Sequence, residues 1–162
     1  MSHRKPVDTP SDLAASLAAG ARLMGLDVGA ATIGVALSDP GLMIATPLET
    51  IRRRRFRDDA AHLRRIIAEH AVGGVVIGLP INMNGSEGPR CQSTRQFAVN
   101  LQAAIDIAAT FWDERLSTVA AERALLVADV SRKRRAEVID KMAAAYILQG
   151  ALDSIAPSIS WR

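Results

Sequence analysis

A chain of 162 residues that is 49% apolar is long enough for one packed domain and too apolar to remain disordered. Its single cysteine, Cys91, excludes a disulfide framework and a cysteine-based zinc site, and only 4% of its residues are aromatic, so Ala, Val, Ile and Leu must fill the interior. The net charge of +3 suits an acidic partner such as nucleic acid, and no apolar run approaches the roughly 18 residues of a membrane span.

Residues 1–10 are polar and read as a mobile lead-in, broken by Asp8, with Asp12 and Ser16 interrupting any signal-like apolar stretch beyond it. A cytoplasmic location is expected. Ser11 would cap a short helix over 12–19 that Gly20 ends. The expected organisation is an N-terminal extension over 1–20, one domain over 21–156 and a tail over 157–162.

Residues 22–27 are short and apolar, closed by Gly29, and read as a first strand. Over 32–38, Ile33, Val35 and Leu37 alternate with small residues, which is strand period. The Asp39-Pro40-Gly41 turn leads to a third strand over 44–51, so the three form an antiparallel meander. Apolar residues at 56, 60, 63 and 67 predict a helix over 56–70, which Gly73-Gly74 would end. Val75-Val76-Ile77 is a β-branched run typical of a strand buried on both faces. A turn-rich loop over 82–89 precedes a helix bearing Phe97, Leu101 and Ile105 on one side, where Cys91 is an inert helix residue. A strand over 108–112, a helix from Ser117 to about Ala128, a basic loop over 131–135 and a helix over 138–155 complete the chain. The expected fold is α/β: a mixed five-stranded sheet, a three-strand meander followed by two crossover strands, flanked by helices.

Three acids stand where chemistry could use them. Asp27 closes the first strand before a glycine, where a buried carboxylate needs compensation; a metal ion would supply it, as a turn-capping role would otherwise. Glu114 follows the strand that ends in Trp112-Asp113, and if the strand continues, alternation sends Asp113 and Glu114 to opposite faces. Asp39 remains a further candidate. Asp140 shares a helical face with Ala144, Ile147, Ala151 and Ile155, a small and apolar stripe suited to close packing on the sheet. Carboxylates with open positions suit Mg2+ or Mn2+, and paired ions can activate water and stabilise the leaving oxygen in phosphodiester cleavage. His3, His62 and His70 lie in the tail and on a solvated helix, which argues against hydrolysis led by histidine.

Four motifs in this order resemble those of the YqgF/RuvX family. They are Gly25-Leu26-Asp27-Val28-Gly29 with Ile33-Gly34-Val35-Ala36 and Ser38-Asp39; Gly78-Leu79-Pro80 with Asn82 to Pro89; Trp112-Asp113-Glu114-Arg115-Leu116-Ser117-Thr118; and Asp140-Lys141-Met142-Ala143-Ala144 with Ile147-Leu148-Gln149. The resemblance covers residues 22–155. It implies an RNase H-like fold and a divalent-metal nuclease acting on the 5′ end of pre-16S rRNA in ribosome biogenesis, with Asp27, Glu114 and Asp140 as the catalytic, metal-holding acids. The family is also described as a Holliday junction resolvase, which makes branched DNA the alternative substrate. The sequence departs from the family in having Ala30-Ala31-Thr32 where a basic residue usually stands. That departure leaves a non-catalytic rRNA-binding module as another reading. A phosphate loop of the actin-like ATPase kind would need a second lobe that 162 residues cannot supply.

Substrate contacts are expected from Gly29, from Asn82, Asn84 and Gly85 in the loop after the fourth strand, and from Arg115. Arg132, Lys133, Arg134 and Arg135 precede the helix that carries Asp140 and are expected to meet phosphates more than the Arg52 to Arg55 run does, whose side chains alternation would divide between two faces.

Overall fold

The computed structural model describes residues 4–117, 122 and 132–155, with the backbone alone over 132–137. Five strands form one sheet: β1 (Arg22–Val28), β2 (Thr32–Ser38), β3 (Ala45–Arg52), β4 (Val72–Leu79) and β5 (Ala108–Asp113). The described helices are α1 (Pro10–Ala15), α2 (Phe56–Glu69), α3 (Pro89–Ala104) and α4 (Arg132–Ile155), and a 3-10 turn spans Glu114–Leu116. The strand order is β3-β2-β1-β4-β5. β1, β2 and β3 pair antiparallel, whereas β4 runs parallel to β1 and β5 parallel to β4. This is the expected mixed sheet, with the carboxyl ends of β1, β4 and β5 on one edge.

Alternation divides β1 between two cores. Met24, Leu26 and Val28 join Leu63 and Ile66 of α2 and Phe97 and Leu101 of α3. Leu23 faces the other way, into a cluster with Ala144, Ile147, Leu148 and Ala151 of α4 and Leu13 of α1. The second core is built from small residues on both sides. A Cβ on Gly25 would stand 2.7 Å from Leu148 Cβ and 2.9 Å from the Ala144 carbonyl oxygen, and one on Gly34 would stand 1.9 Å from the Asp140 carbonyl oxygen. The stripe from Asp140 through Ala144 and Ile147 therefore lies on bare strand backbone, as its spacing predicts.

Three elements differ from expectation. Gly73 and Gly74 do not end a helix; they belong to β4, and added Cβ atoms there would stand 2.8 Å from Leu17 and 2.8 Å from Leu13. They are glycine because the N-terminal segment packs over them. That segment is fastened to the sheet: the Val7 amide donates to Ala109 (2.8 Å), the Thr110 hydroxyl donates to the Val7 carbonyl (2.9 Å), and Leu13 is fully buried. Its helix begins at Pro10, with Thr9 rather than Ser11 as the cap; the Thr9 hydroxyl accepts from the Asp12 amide. The basic stretch 131–135 is no loop from Arg132 onward, since α4 starts there. Lys, Arg, Ala and Glu are good helix formers, and a polar run without Gly or Pro carries no stop signal.

The helix expected over 117–128 falls almost entirely outside the described residues. Ser117 itself closes the 3-10 turn, its amide and hydroxyl both donating to the Glu114 carbonyl. Among the described residues no helix is long and apolar enough to cross a membrane.

Gly34→Ala should destabilise the protein by about 1–3 kcal/mol, the usual range for overpacking, because the methyl would meet helix backbone and not a movable side chain. Urea unfolding should show a lower midpoint with an unchanged slope.

Candidate active site

Asp27 is the last buried side chain of β1 on the face that α4 covers, and it is 6% exposed. Its neighbour across the ladder is Gly34, and the Asp140 backbone passes directly over that glycine. The sheet thus brings the first and last motifs of the sequence together. The half-buried Asp140 side chain accepts a hydrogen bond from the Thr32 hydroxyl. Thr32 opens β2 across the turn from Gly29, whose amide donates to the Thr32 carbonyl (2.9 Å).

Glu114 enters from the other side. Ile77 of β4 lies between Leu26 of β1 and Phe111 of β5, so the end of β5 stands two strand spacings, roughly 10 Å, from the end of β1. The strand does not continue past Asp113, because Glu114 opens the 3-10 turn, so strand alternation does not relate the two acids. Asp113 caps the 3-10 turn, accepting from the Arg115 amide (2.9 Å) and from its guanidinium (2.8 Å). That guanidinium holds the Asp113 carboxyl below the usual carboxylate range. Asp113 is therefore committed to Arg115, and the half-buried Glu114 follows it at this strand end. Asp39 lies at the opposite edge, where its carboxylate accepts from the Met43 and Ile44 amides (2.7 and 2.8 Å) and is lowered by them.

The remaining residues singled out in the sequence surround this edge. In the loop after β4, the Asn82 carbonyl accepts from the Gly85 amide (2.8 Å) and Asn84 Oδ1 from the Ser86 amide (2.9 Å), so both asparagines shape the loop. Gly85 has φ +88° and lies against Arg115: a Cβ there would stand 3.6 Å from Arg115 Nη1. A left-handed backbone beside a guanidinium is what fixes glycine at this position. Arg132 to Arg135 form the first turn of α4, and their side chains lie outside the described residues. Cys91 is fully buried and burial pushes its thiol up, away from nucleophilic use.

Two arginines at this edge were not singled out as site residues from the sequence. Arg90, in the first turn of α3, places Nη2 4.0 Å from Asp27 Oδ1 while its side chain stays 57% exposed. Arg53 donates from Nη1 to the Gly29 carbonyl (2.7 Å) and lies over the Phe97 ring at 5.5 Å. Arg90 follows directly on the second motif, but its reach to Asp27 depends on how α3 packs. Together they put guanidinium groups beside the turn that carries Ala30, Ala31 and Thr32 in place of a basic residue.

The donor set suits a hard divalent cation: carboxylate oxygens from three elements at one sheet edge. Among the described residues no three His, Cys, Asp or Glu side chains are close enough together to hold an ion. Asp140 is turned to Thr32, and Arg90 faces Asp27.

A mixed sheet with acids at the ends of its first and last strands and on its closing helix defines a nuclease-like α/β architecture. The chain belongs to the family whose model is described as RuvX, Holliday junction resolvase, which matches residues 21–154. It is 65% identical over 151 residues to a protein of Roseobacter denitrificans named "Putative pre-16S rRNA nuclease", covering 92% of this chain and 93% of that one. A Ruegeria pomeroyi protein of the same name is 61% identical over 148 residues, covering 91% and 96%. The solved structure of T. thermophilus RuvC in complex with a Holliday junction substrate superposes with a TM-score of 0.53 at 11% identity, over 83% of this chain and 94% of that one. At that identity the likeness is one of fold, and the fold is RNase H-like.

Arg90→Ala should bind Mn2+ alone several-fold more tightly than the wild type, since it removes the cation 4.0 Å from Asp27. Calorimetric titration of the protein without nucleic acid checks this.

Proposed function

We propose that this protein is a divalent-metal-dependent nuclease that cleaves phosphodiester bonds at the 5′ end of pre-16S rRNA during ribosome biogenesis in the cytoplasm. The observation that carries the reading is the pairing of buried Asp27 with Gly34 under the Asp140 backbone, which gathers acids from opposite ends of the sequence at one sheet edge. The names of the relatives in Roseobacter denitrificans and Ruegeria pomeroyi support pre-16S rRNA as the substrate.

Asp27, Glu114 and Asp140 would hold Mg2+ or Mn2+, which when bound supplies Lewis-acid activation of the phosphoryl group and of water at neutral pH. The protein's own residues do the rest. Thr32 holds the Asp140 carboxylate toward β2. Arg115 keeps Asp113 from competing for the site. Arg90 balances the Asp27 charge at the solvent boundary. Gly29 and the loop containing Asn82, Asn84 and Gly85 would meet the substrate backbone, joined by Arg115 and by the first turn of α4 with Arg132, Lys133, Arg134 and Arg135. A second reading, resolution of four-way DNA junctions, is favoured by the family's description and by the RuvC-like fold.

Incubation with structured pre-16S leader RNA and with four-way DNA junctions, in Mg2+, Mn2+ or EDTA, separates these readings. RNA cleavage that EDTA abolishes is expected. Asp27→Asn should remove cleavage while leaving the unfolding midpoint close to wild type, because the amide keeps the shape and loses the charge. Wild-type turnover by that variant, or cleavage in EDTA, refutes the metal site; cleavage of junctions alone makes the second reading the right one.

A further inference from the structure

Beside the carboxylate edge, between the end of β3 and α2, lies a cleft of about 580 Å3. Arg52, Arg53, Arg54 and Arg65 line it against only two acids, Asp58 and Asp59. The four arginines are not equivalent. Arg53 is structural: it bonds the Gly29 carbonyl, covers Phe97 and lies 3.9 Å from Asp59, which is 2% exposed. Asp59 in turn accepts from the Arg54 amide (3.0 Å), fixing the chain where β3 passes into α2. Arg52, Arg54 and Arg65 are exposed, and among the described residues their side chains make no hydrogen bond or ion pair. Structural need thus accounts for Arg53 and leaves three guanidinium groups around a concave surface.

The cleft adjoins the candidate active site. Thr50, on its wall, pairs with Gly34, which pairs with Asp27, so cleft and site share one end of the sheet, with Asp27 on the face toward α4 and the cleft on the face toward α2. Those two pairings span two strand spacings, roughly 10 Å. The Arg53 bond to Gly29 ties the cleft's floor to the turn that follows Asp27.

We propose that this cleft is a second nucleic-acid subsite, in which Arg52, Arg54 and Arg65 bind phosphates of the strand that continues from the scissile bond at Asp27. The ligand is a phosphodiester backbone. Guanidinium groups bind phosphate oxygens bidentately, and no Phe, Tyr or Trp lines the cleft to form a stacking platform, while the His62 ring on its wall is paired with Glu49. The subsite makes up for the missing basic residue at Ala30 to Thr32 by placing cations on the next strand over. The proposal rests on the nuclease reading for its direction of travel, but not for its phosphate chemistry.

The test is the triple variant Arg52→Gln, Arg54→Gln, Arg65→Gln, compared with the wild type and with a control triple, Arg4→Gln, Lys5→Gln, Arg22→Gln, that loses the same charge away from the cleft. Fluorescence anisotropy with labelled single-stranded RNA and single-stranded DNA is measured in EDTA across a salt series, and cleavage is measured separately in Mn2+. The cleft triple should flatten the slope of log K against log salt by about 0.7 for each phosphate no longer neutralised, up to about 2, and the control should not. Equal slopes for the wild type and the cleft triple, or equal flattening by the two triples, overturns the proposal. A wild type that binds but does not cleave defeats the nuclease reading alone, and the subsite is then decided by the slopes. A wild type that binds neither strand defeats both. Matched effects on RNA and DNA identify backbone recognition; an effect confined to RNA adds the 2′-hydroxyl to what the cleft reads.

Discussion

The closeness of α4 to the sheet governs everything at the acidic edge. Carbonyl oxygens of Asp140 and Ala144 lie where Cβ atoms of Gly34 and Gly25 would otherwise stand. A helix packed on ordinary side chains sits about 10 Å from a sheet, and an aspartate on its margin would not reach the strand ends. Removing two side chains lowers the helix onto β1 and β2 and carries Asp140 to the row that holds Asp27. The alanines at 143, 144, 145 and 151 are the helix's half of the same arrangement. Precision in the site is thus obtained from backbone contacts, which cannot relax by changing rotamer.

Glycine was also where the sequence was hardest to read. Gly34 and Gly25 sit inside alternating apolar runs, and the runs fixed the strands without them. Gly73-Gly74 follows a helix and precedes a β-branched run, so local punctuation favoured a helix stop. The reason for those glycines lies far away in sequence, in Leu13 and Leu17 of the short N-terminal helical segment expected over 12–19, whose packing partners no local pattern names. Likewise, polarity at 131–135 concealed a helix, because solvent-facing helical turns and loops share the same residues. The strands, their order and α2 were legible because they rest on local period and on motif order. The docking of the N-terminus, the start of α4 and the reach of Arg90 rest on tertiary contacts that no window of the sequence contains.

The electrostatics of the edge follow a similar division between what is anchored and what is left available. Arg115 and Asp113 satisfy each other within one turn, and Arg53 is enclosed by Gly29, Phe97 and Asp59. Arg90 differs from both. At 4.0 Å from Asp27 it is close enough to balance a buried charge and too far for a short, directed hydrogen bond, and over half its side chain is in solvent. An arginine held that loosely adds positive charge beside the carboxylate without a bidentate contact. On the proposed function, a divalent cation at Asp27 would meet that guanidinium across solvent.

This has a consequence for how the substrate and the cation meet the protein. Both Arg90 and a bound cation would lie on the positive side of Asp27, and their mutual repulsion favours the guanidinium moving outward once the cation is held. Outward is where an anionic backbone approaches. Under the proposed nuclease reading, cation and nucleic acid would then assist each other's binding through Arg90. The coupling requires no hinge or domain movement, only a rotamer change in an exposed arginine. Arg53 and Arg90 flank the turn between Gly29 and Ile33 from β3 and α3, the first held by the Gly29 carbonyl and the second over half exposed.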